Sequence, residues 1–203
     1  MSCCMLPARD NPFAVHRVLQ VRYRMDERGW SALIARLEAG GWRGAIIGPH
    51  GAGKTTLLED LADRLAKRDW RVHWVRLSTE RRRPTGEFWR STLLHLGSRD
   101  ALMIDGAEQL SRWRAWLLAR RWRRVGAVII TSHRPGRLPT VHRCVASPEL
   151  LGWLVERLGE RVGPQEAQAL FERHRGNLRD ALRELYDRYS RSATQVTSAA
   201  AVA

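Results

Sequence analysis

The stretch Gly48-Pro49-His50-Gly51-Ala52-Gly53-Lys54-Thr55-Thr56 constrains this chain more than any other, because its first eight residues fit G-x-x-x-x-G-K-[ST]. An apolar run, Gly44 to Gly48 (GAIIG), precedes it. After it, from about Lys54 to Lys67, Leu57, Leu58, Leu61, Ala62 and Leu65 recur at helical spacing. A buried strand, a glycine turn and an amphipathic helix in that order imply an α/β layered domain. With 16 Gly and 2 Lys in 203 residues, a chance match somewhere has a probability on the order of one in a thousand. One of the two lysines stands where the pattern demands it.

Chemistry gives each residue type a reason. Gly48, Gly51 and Gly53 allow positive φ and close approach, so that a row of backbone N–H groups faces phosphate oxygens. The helix starting near Gly53 aims the positive end of its dipole at the same anion. Lys54 adds a mobile charge between β and γ phosphates, the Thr55 hydroxyl is a candidate ligand of Mg²⁺, and Thr56 backs the α phosphate. The competing reading is a glycine turn that merely starts a helix.

Alternating apolar and amphipathic stretches continue along the chain. A helix is expected near Trp30 to Leu37. Strands are expected at Gly44 to Gly48, Val72 to Leu77, Ala101 to Asp105, Gly126 to Thr131 and, more weakly, Thr140 to Val145. Helices are expected at Glu87 to Leu96 and from Ala107 to about Arg124. Pro148 to Leu158, Pro164 to His174 and Leu178 to Tyr189 then read as helices with no strand between them. Ser190 to Ala203, poor in large aliphatics, reads as disordered.

The glycine loop resembles the Walker A motif of P-loop NTPases, and the likeness runs from about Gly44 to Leu185. Leu102-Met103-Ile104-Asp105 supplies the acidic end of an apolar strand, as Walker B carboxylates do. A strand and helix between the loop and this strand, and the polar pair Thr131-Ser132 closing the next, resemble the additional-strand division that includes the AAA+ and STAND families. The resemblance implies a three-layer α/β/α fold with a mainly parallel five-stranded sheet and a small C-terminal helical lid. It divides the chain into an entry segment and helix (1–40), a nucleotide-binding core (41–147), a lid (148–189) and a tail (190–203). It makes Thr131 a "sensor 1" candidate, with Ser132 and Arg134 nearby. Arg179, following Asn177 at the start of the last lid helix, is the "sensor 2" candidate. Phe13 or Tyr23 covers the base, or else the entry segment simply packs on the sheet.

Departures from the pattern carry information too. Many AAA+ ATPases place Glu directly after the Walker B Asp, whereas here that position is Gly106, and Glu108 is the substitute. Slow or partner-stimulated ATP hydrolysis is the expectation. Only His133 to Thr140 separates the fourth and fifth strands, too little for an arginine-finger helix, so a ring oligomer is not supported. Arg134, Arg137 and Arg143 are otherwise rim residues.

The chain has 35 basic against 21 acidic residues, a net +14, and nearly all the basic ones are Arg. Such a field attracts polyanions, and Arg81-Arg82-Arg83 with Arg112, Arg114, Arg120, Arg121, Arg123 and Arg124 are candidates for a nucleic-acid track. A solvated helix face is the alternative. Trp113 and Trp116, with Leu110 and Leu117, share helical spacing and read as core or interface. Three cysteines, Cys3, Cys4 and Cys144, make no disulfide framework, which points to the cytoplasm. No run is apolar enough for a membrane span, and no ligand spacing suggests a metal other than Mg²⁺ bound with ATP. A protein partner is expected but unidentified, and a non-hydrolysing ATP-bound scaffold is a rival reading.

Overall fold

The computed structural model describes residues 10–77, 86–110, 122–136 and 138–200. Five strands, β1 (Arg43–Ile47), β2 (Arg71–Arg76), β3 (Asp100–Asp105), β4 (Ala127–Ser132) and β5 (Thr140–Arg143), form one sheet. All four pairings are parallel, and the order across the sheet is β2-β3-β4-β1-β5. The strand that leads into the glycine loop is therefore flanked by β4 and β5. The strand that ends at Asp105 lies one position further out, beyond β4.

Parallel strands covered on both faces read as continuous apolar runs, and β1, β3 and β4 do. Ile46, Ile47, Leu102, Met103, Ile104 and Ile129 are fully buried, each stabilising the fold by about 1.5–3 kcal/mol. After β1, the leucines expected on one face of α3 (Lys54–Ala66) are all buried. The preceding α2 (Glu27–Ala39) buries Trp30, Leu33, Ile34 and Leu37, and Asp26 caps it by accepting from the Gly29 N–H at 2.8 Å. On α4 (Gly86–Leu94), Trp89 and Leu93 join Leu102, Ile104 and Val128 in one cluster. Arg43 locks β1 to the approach to β4, donating to the carbonyls of Trp122 (2.9 Å), Val125 (2.5 Å) and Gly126 (2.8 Å).

Two compact units result. One comprises Tyr23–Pro49 and Gly53–Cys144 and contains the sheet; the other comprises Met1–Arg22, His50–Ala52 and Val145–Ala203. In this second, helical unit are α1 (Val15–Val18), α5 (Pro148–Arg157), α6 (Pro164–Arg173) and α7 (Leu178–Ala200). Proline opens both α5 and α6, where its missing N–H costs nothing. Phe13 is buried with Leu151, Val155, Leu182 and Leu185, so the entry segment joins the helices rather than the sheet. Asn11 explains why: its amide donates to Tyr186 O (3.0 Å) and Ser190 Oγ (2.9 Å), while its oxygen accepts from the Phe13 N–H.

Two further expectations are corrected. The last helix continues past Ser190 to Ala200, because extending an existing helix through alanine-containing sequence requires no new nucleus. No helix starts at Ala107. Gly106 is left-handed (φ +81°), Ala107–Gln109 forms one 3-10 turn, and Leu110 is extended. Trp113, Trp116, Leu117, Arg112, Arg114, Arg120 and Arg121 lie outside the described residues, as do Arg81-Arg82-Arg83, Arg137, Cys3 and Cys4. Arg123 and Arg124 are described and exposed.

Candidate functional site

In open parallel sheets, ligand-binding groups gather at the carboxyl ends of the strands. Here Gly48 follows β1, Asp105 ends β3, and Thr131-Ser132 end β4. Thr55, on the first turn of α3, donates to Asp105 Oδ2 at 2.9 Å. Thr131 donates to the other carboxylate oxygen, Oδ1, at 2.6 Å and accepts from the Gly106 N–H at 2.8 Å. Thr131 is buried, and its single hydroxyl hydrogen is committed to Asp105. The intervening strand β4 thus carries the residue that orients a carboxylate on its neighbour.

Lys54 arches back over its own loop, its Nζ donating to Gly48 O (2.8 Å) and Pro49 O (2.7 Å). Gly51 and Gly53 have the left-handed conformation expected of them (φ +72° and +81°). Gly48 does not: a Cβ there would meet Cys144 O at 2.6 Å, so close approach to the chain after β5 explains this glycine. Gly53 precedes α3 as its N-cap and supplies no side-chain cap, and no acidic residue occupies the first turn. Thr56 also lies on that turn. His50 and Pro49 are exposed, whereas Ala52 is buried.

Gly106 shows why a glutamate is missing after Asp105. Besides its positive φ, a Cβ at this position would lie 2.5 Å from Leu77 O. Glu108 instead reaches the site from the 3-10 turn, with Oε1 3.0 Å from His133 Nε2. His133 was not among the expected site residues. Its Nδ1 lies 3.2 Å from Gly48 O and 3.4 Å from Lys54 Nζ. The available signal was its place directly after the polar end of β4, which alone does not reveal which loop it meets.

Beneath the loop sits Tyr23, whose ring would be 3.2 Å from a Cβ on Gly53. Its hydroxyl is 3.1 Å from His142 Nε2 and its N–H donates to the buried Asp60. Burial raises the pKa of the Tyr23 hydroxyl, and the neighbouring Cys144 raises it further. Burial also raises that of the Cys144 thiol, against the lowering effects of Tyr23 and Lys54. For His142 burial lowers it, as does Arg36. All three groups are held toward their uncharged forms, so this support adds no charge beside the loop.

The remaining expected residue, Arg179, belongs to the helical unit, where it is exposed in the first turn of α7. Asn177 caps that helix, its Oδ1 accepting from the Arg179 N–H at 3.1 Å. Within the same unit, a Cβ on Gly51 would approach Asn177 Oδ1 to 2.1 Å.

Thr55 and Asp105 present a hydroxyl and a carboxylate, the hard oxygen donors that suit Mg²⁺ held jointly by protein and phosphate. Among the described residues no group of three or more His, Cys, Asp or Glu is placed to hold a metal ion. No described helix is long and apolar enough to cross a membrane.

None of the curated proteins matches this chain. A protein-family model described as novel STAND NTPase 5 matches residues 20–140, a span containing the glycine loop, Asp105, Glu108, Thr131 and His133. With more than half of its length matched and a parallel α/β sheet of the corresponding kind, the chain belongs to the novel STAND NTPase 5 family and is a nucleotide-binding NTPase.

Proposed function

We propose that this protein binds ATP with Mg²⁺ and hydrolyses it slowly or under stimulation by a protein partner, serving as a nucleotide-dependent switch. The observation that carries this reading is the double hydrogen bond on Asp105, from Thr55 beside the loop and Thr131 on β4. It fixes a carboxylate opposite an uncapped helix N-terminus.

In this reading the N–H groups of residues 48–56, namely Gly48, His50, Gly51, Ala52, Gly53, Lys54, Thr55 and Thr56, surround the phosphates, Pro49 having none. Lys54 transfers its ammonium from the Gly48 and Pro49 carbonyls to the β and γ phosphates. Thr55 and Asp105 would hold Mg²⁺, which would supply neutralisation of the charge developing on the phosphates. Glu108 takes the proton of the attacking water, since Gly106 has no side chain to do so. Thr131 acts through Asp105, so that its sensor role is an orienting one, and Arg179 is kept as the sensor 2 candidate that the resemblance implies. The absence of an N-K-x-D guanine signature from the sequence favours ATP, and the cysteine usage favours the cytoplasm.

The test is calorimetric titration of Mg-ATP into wild type and Lys54→Ala, followed by turnover measured on the same samples. Wild type is expected to bind, and Lys54→Ala to bind about 10- to 100-fold more weakly, the loss of a charge-assisted contact. Glu108→Gln is expected to retain binding and lower turnover about 100-fold or more. No heat with wild type overturns the assignment. Equal, negligible rates in wild type and Glu108→Gln with binding retained identify an ATP-bound scaffold instead.

A second reading, a nucleotide-dependent DNA-associated factor, is favoured by the charge distribution. The sheet unit carries 24 of the 35 basic and 12 of the 21 acidic residues, hence +12 of the net +14.

A further inference from the structure

His133 leaves β4 one residue after Ser132, whose carbonyl accepts from the Gly48 N–H at 3.2 Å. That bond fixes the end of β4 beside the start of the glycine loop and sets the imidazole against Gly48 O. The ring then has Lys54 Nζ near one nitrogen, at 3.4 Å, and Glu108 Oε1 near the other, at 3.0 Å. Both imidazole and carboxylate are about three-quarters buried, so the pair is shielded enough from water for its geometry to be held. A carboxylate only accepts, so Nε2 carries a proton and donates it to Glu108 in either protonation state of the ring. With the ring neutral, Nδ1 is an acceptor facing the Lys54 ammonium; with the ring charged, Nδ1–H donates to Gly48 O, 3.2 Å away.

Glu108 needs such a partner. It rides on a single 3-10 turn between the left-handed Gly106 and the extended Leu110, so its own element does little to aim it. We propose that His133 is a positioning residue for ATP turnover: its Nε2–H holds the Glu108 carboxylate in place to take the proton of the attacking water, while Nδ1 ties that pair to the Lys54 end of the loop. This rests on the reading of the site as one that hydrolyses ATP with Glu108 as base. The two nitrogens have separable duties, and only the Nε2 contact bears on the chemical step.

Side chains that mimic one nitrogen at a time test this. Glutamine sets an amide N–H near the position of Nε2, and asparagine sets one near that of Nδ1. Mg-ATP turnover and calorimetric binding are measured on the full chain as wild type, His133→Ala, His133→Gln, His133→Asn, Glu108→Gln and the double variant Glu108→Gln/His133→Ala. His133→Ala is expected to lower kcat about 10- to 100-fold, the effect of a misplaced catalytic group, with KM and ATP affinity nearly unchanged. His133→Gln recovers most of kcat and His133→Asn does not. In the Glu108→Gln background the His133→Ala loss disappears, because the group it positions is already disabled.

The proposal is overturned if wild type and Glu108→Gln differ but His133→Ala turns over like wild type, if asparagine rescues as well as glutamine, or if the two losses are additive. Should His133→Ala not fold, the comparison of glutamine with asparagine decides alone, since retained ATP binding shows that those variants are folded. Wild-type turnover no greater than that of Lys54→Ala is a different failure: it removes the hydrolytic reading and this proposal with it.

Discussion

Gly106 directly follows the carboxylate that ends β3, and two facts about its backbone exclude any side chain there. Its φ of +81° is in the left-handed region, and Leu77 O stands 2.5 Å from where a Cβ would be. The first costs about 1–2 kcal/mol and the second, a clash with backbone rather than a flexible tip, about 1–3. Gly106→Ala should therefore lose about 2–5 kcal/mol in urea denaturation; a variant with wild-type stability would contradict the steric account. Gly106→Glu should not raise ATP turnover, because its carboxylate cannot be delivered without moving Leu77. That a glycine follows Asp105 was legible in the sequence. Why it must be glycine was not, since Leu77 is 29 residues away and meets it only through the pairing of β2 with β3.

At the level of elements, the start of β3 depends on one buried carboxylate. Asp100 accepts from the Gly97 N–H (2.7 Å), His73 (2.8 Å) and Arg71 (2.9 Å), tying β3 to the edge strand β2 and to its own entry turn. Burial pushes its pKa up, but these hydrogen bonds and the Arg71 charge together prevail and hold it below the usual aspartate range. A lowered carboxylate pKa contributes stability that is complete above the unfolded value and lost as pH falls through the folded one. Asp100→Asn should therefore cost about 1–3 kcal/mol at pH 7, less than for a fully buried ion pair, because Arg71 and His73 are exposed enough to rehydrate. The gap between wild type and variant in denaturation midpoint should narrow below about pH 4. A gap that is constant from pH 7 to pH 2 would rule out the carboxylate as its source. Element positions follow from local pattern, and β1, α3, β3, β4, α5 and α6 lie within a residue or two of expectation. The 3-10 turn after Gly106 did not, because a helical periodicity beginning at Ala107 carries no mark of the left-handed residue before it.

For the molecule as a whole, charge is distributed unevenly: the sheet unit holds most of the excess, and the helical unit only +2. If that field is used, labelled duplex DNA should bind at 50 mM salt and lose at least tenfold in affinity by 200 mM, as release of several counterions requires. Fluorescence anisotropy with and without Mg-ATP then separates a nucleotide-dependent DNA factor from a switch that ignores DNA. No binding at 50 mM removes the second reading and leaves the first intact. The division of the chain into units is likewise a property of the whole. Asn11 finds Tyr186 O and Ser190 across some 175 residues, and nothing local to Asn11 announces that partner.

Residue type and spacing alone determined the strand, glycine loop and helix around Lys54, the carboxylate at the end of β3 and the parallel α/β class, because these depend on backbone conformation and on apolar periodicity within one segment. Tertiary structure alone decided that β4 separates β1 from β3, that Thr131 spends its hydroxyl on Asp105, and that His133 stands between Lys54 and Glu108. Each is a meeting of residues far apart in the chain, set by strand order and register, and a single sequence records no distance between its own distant parts.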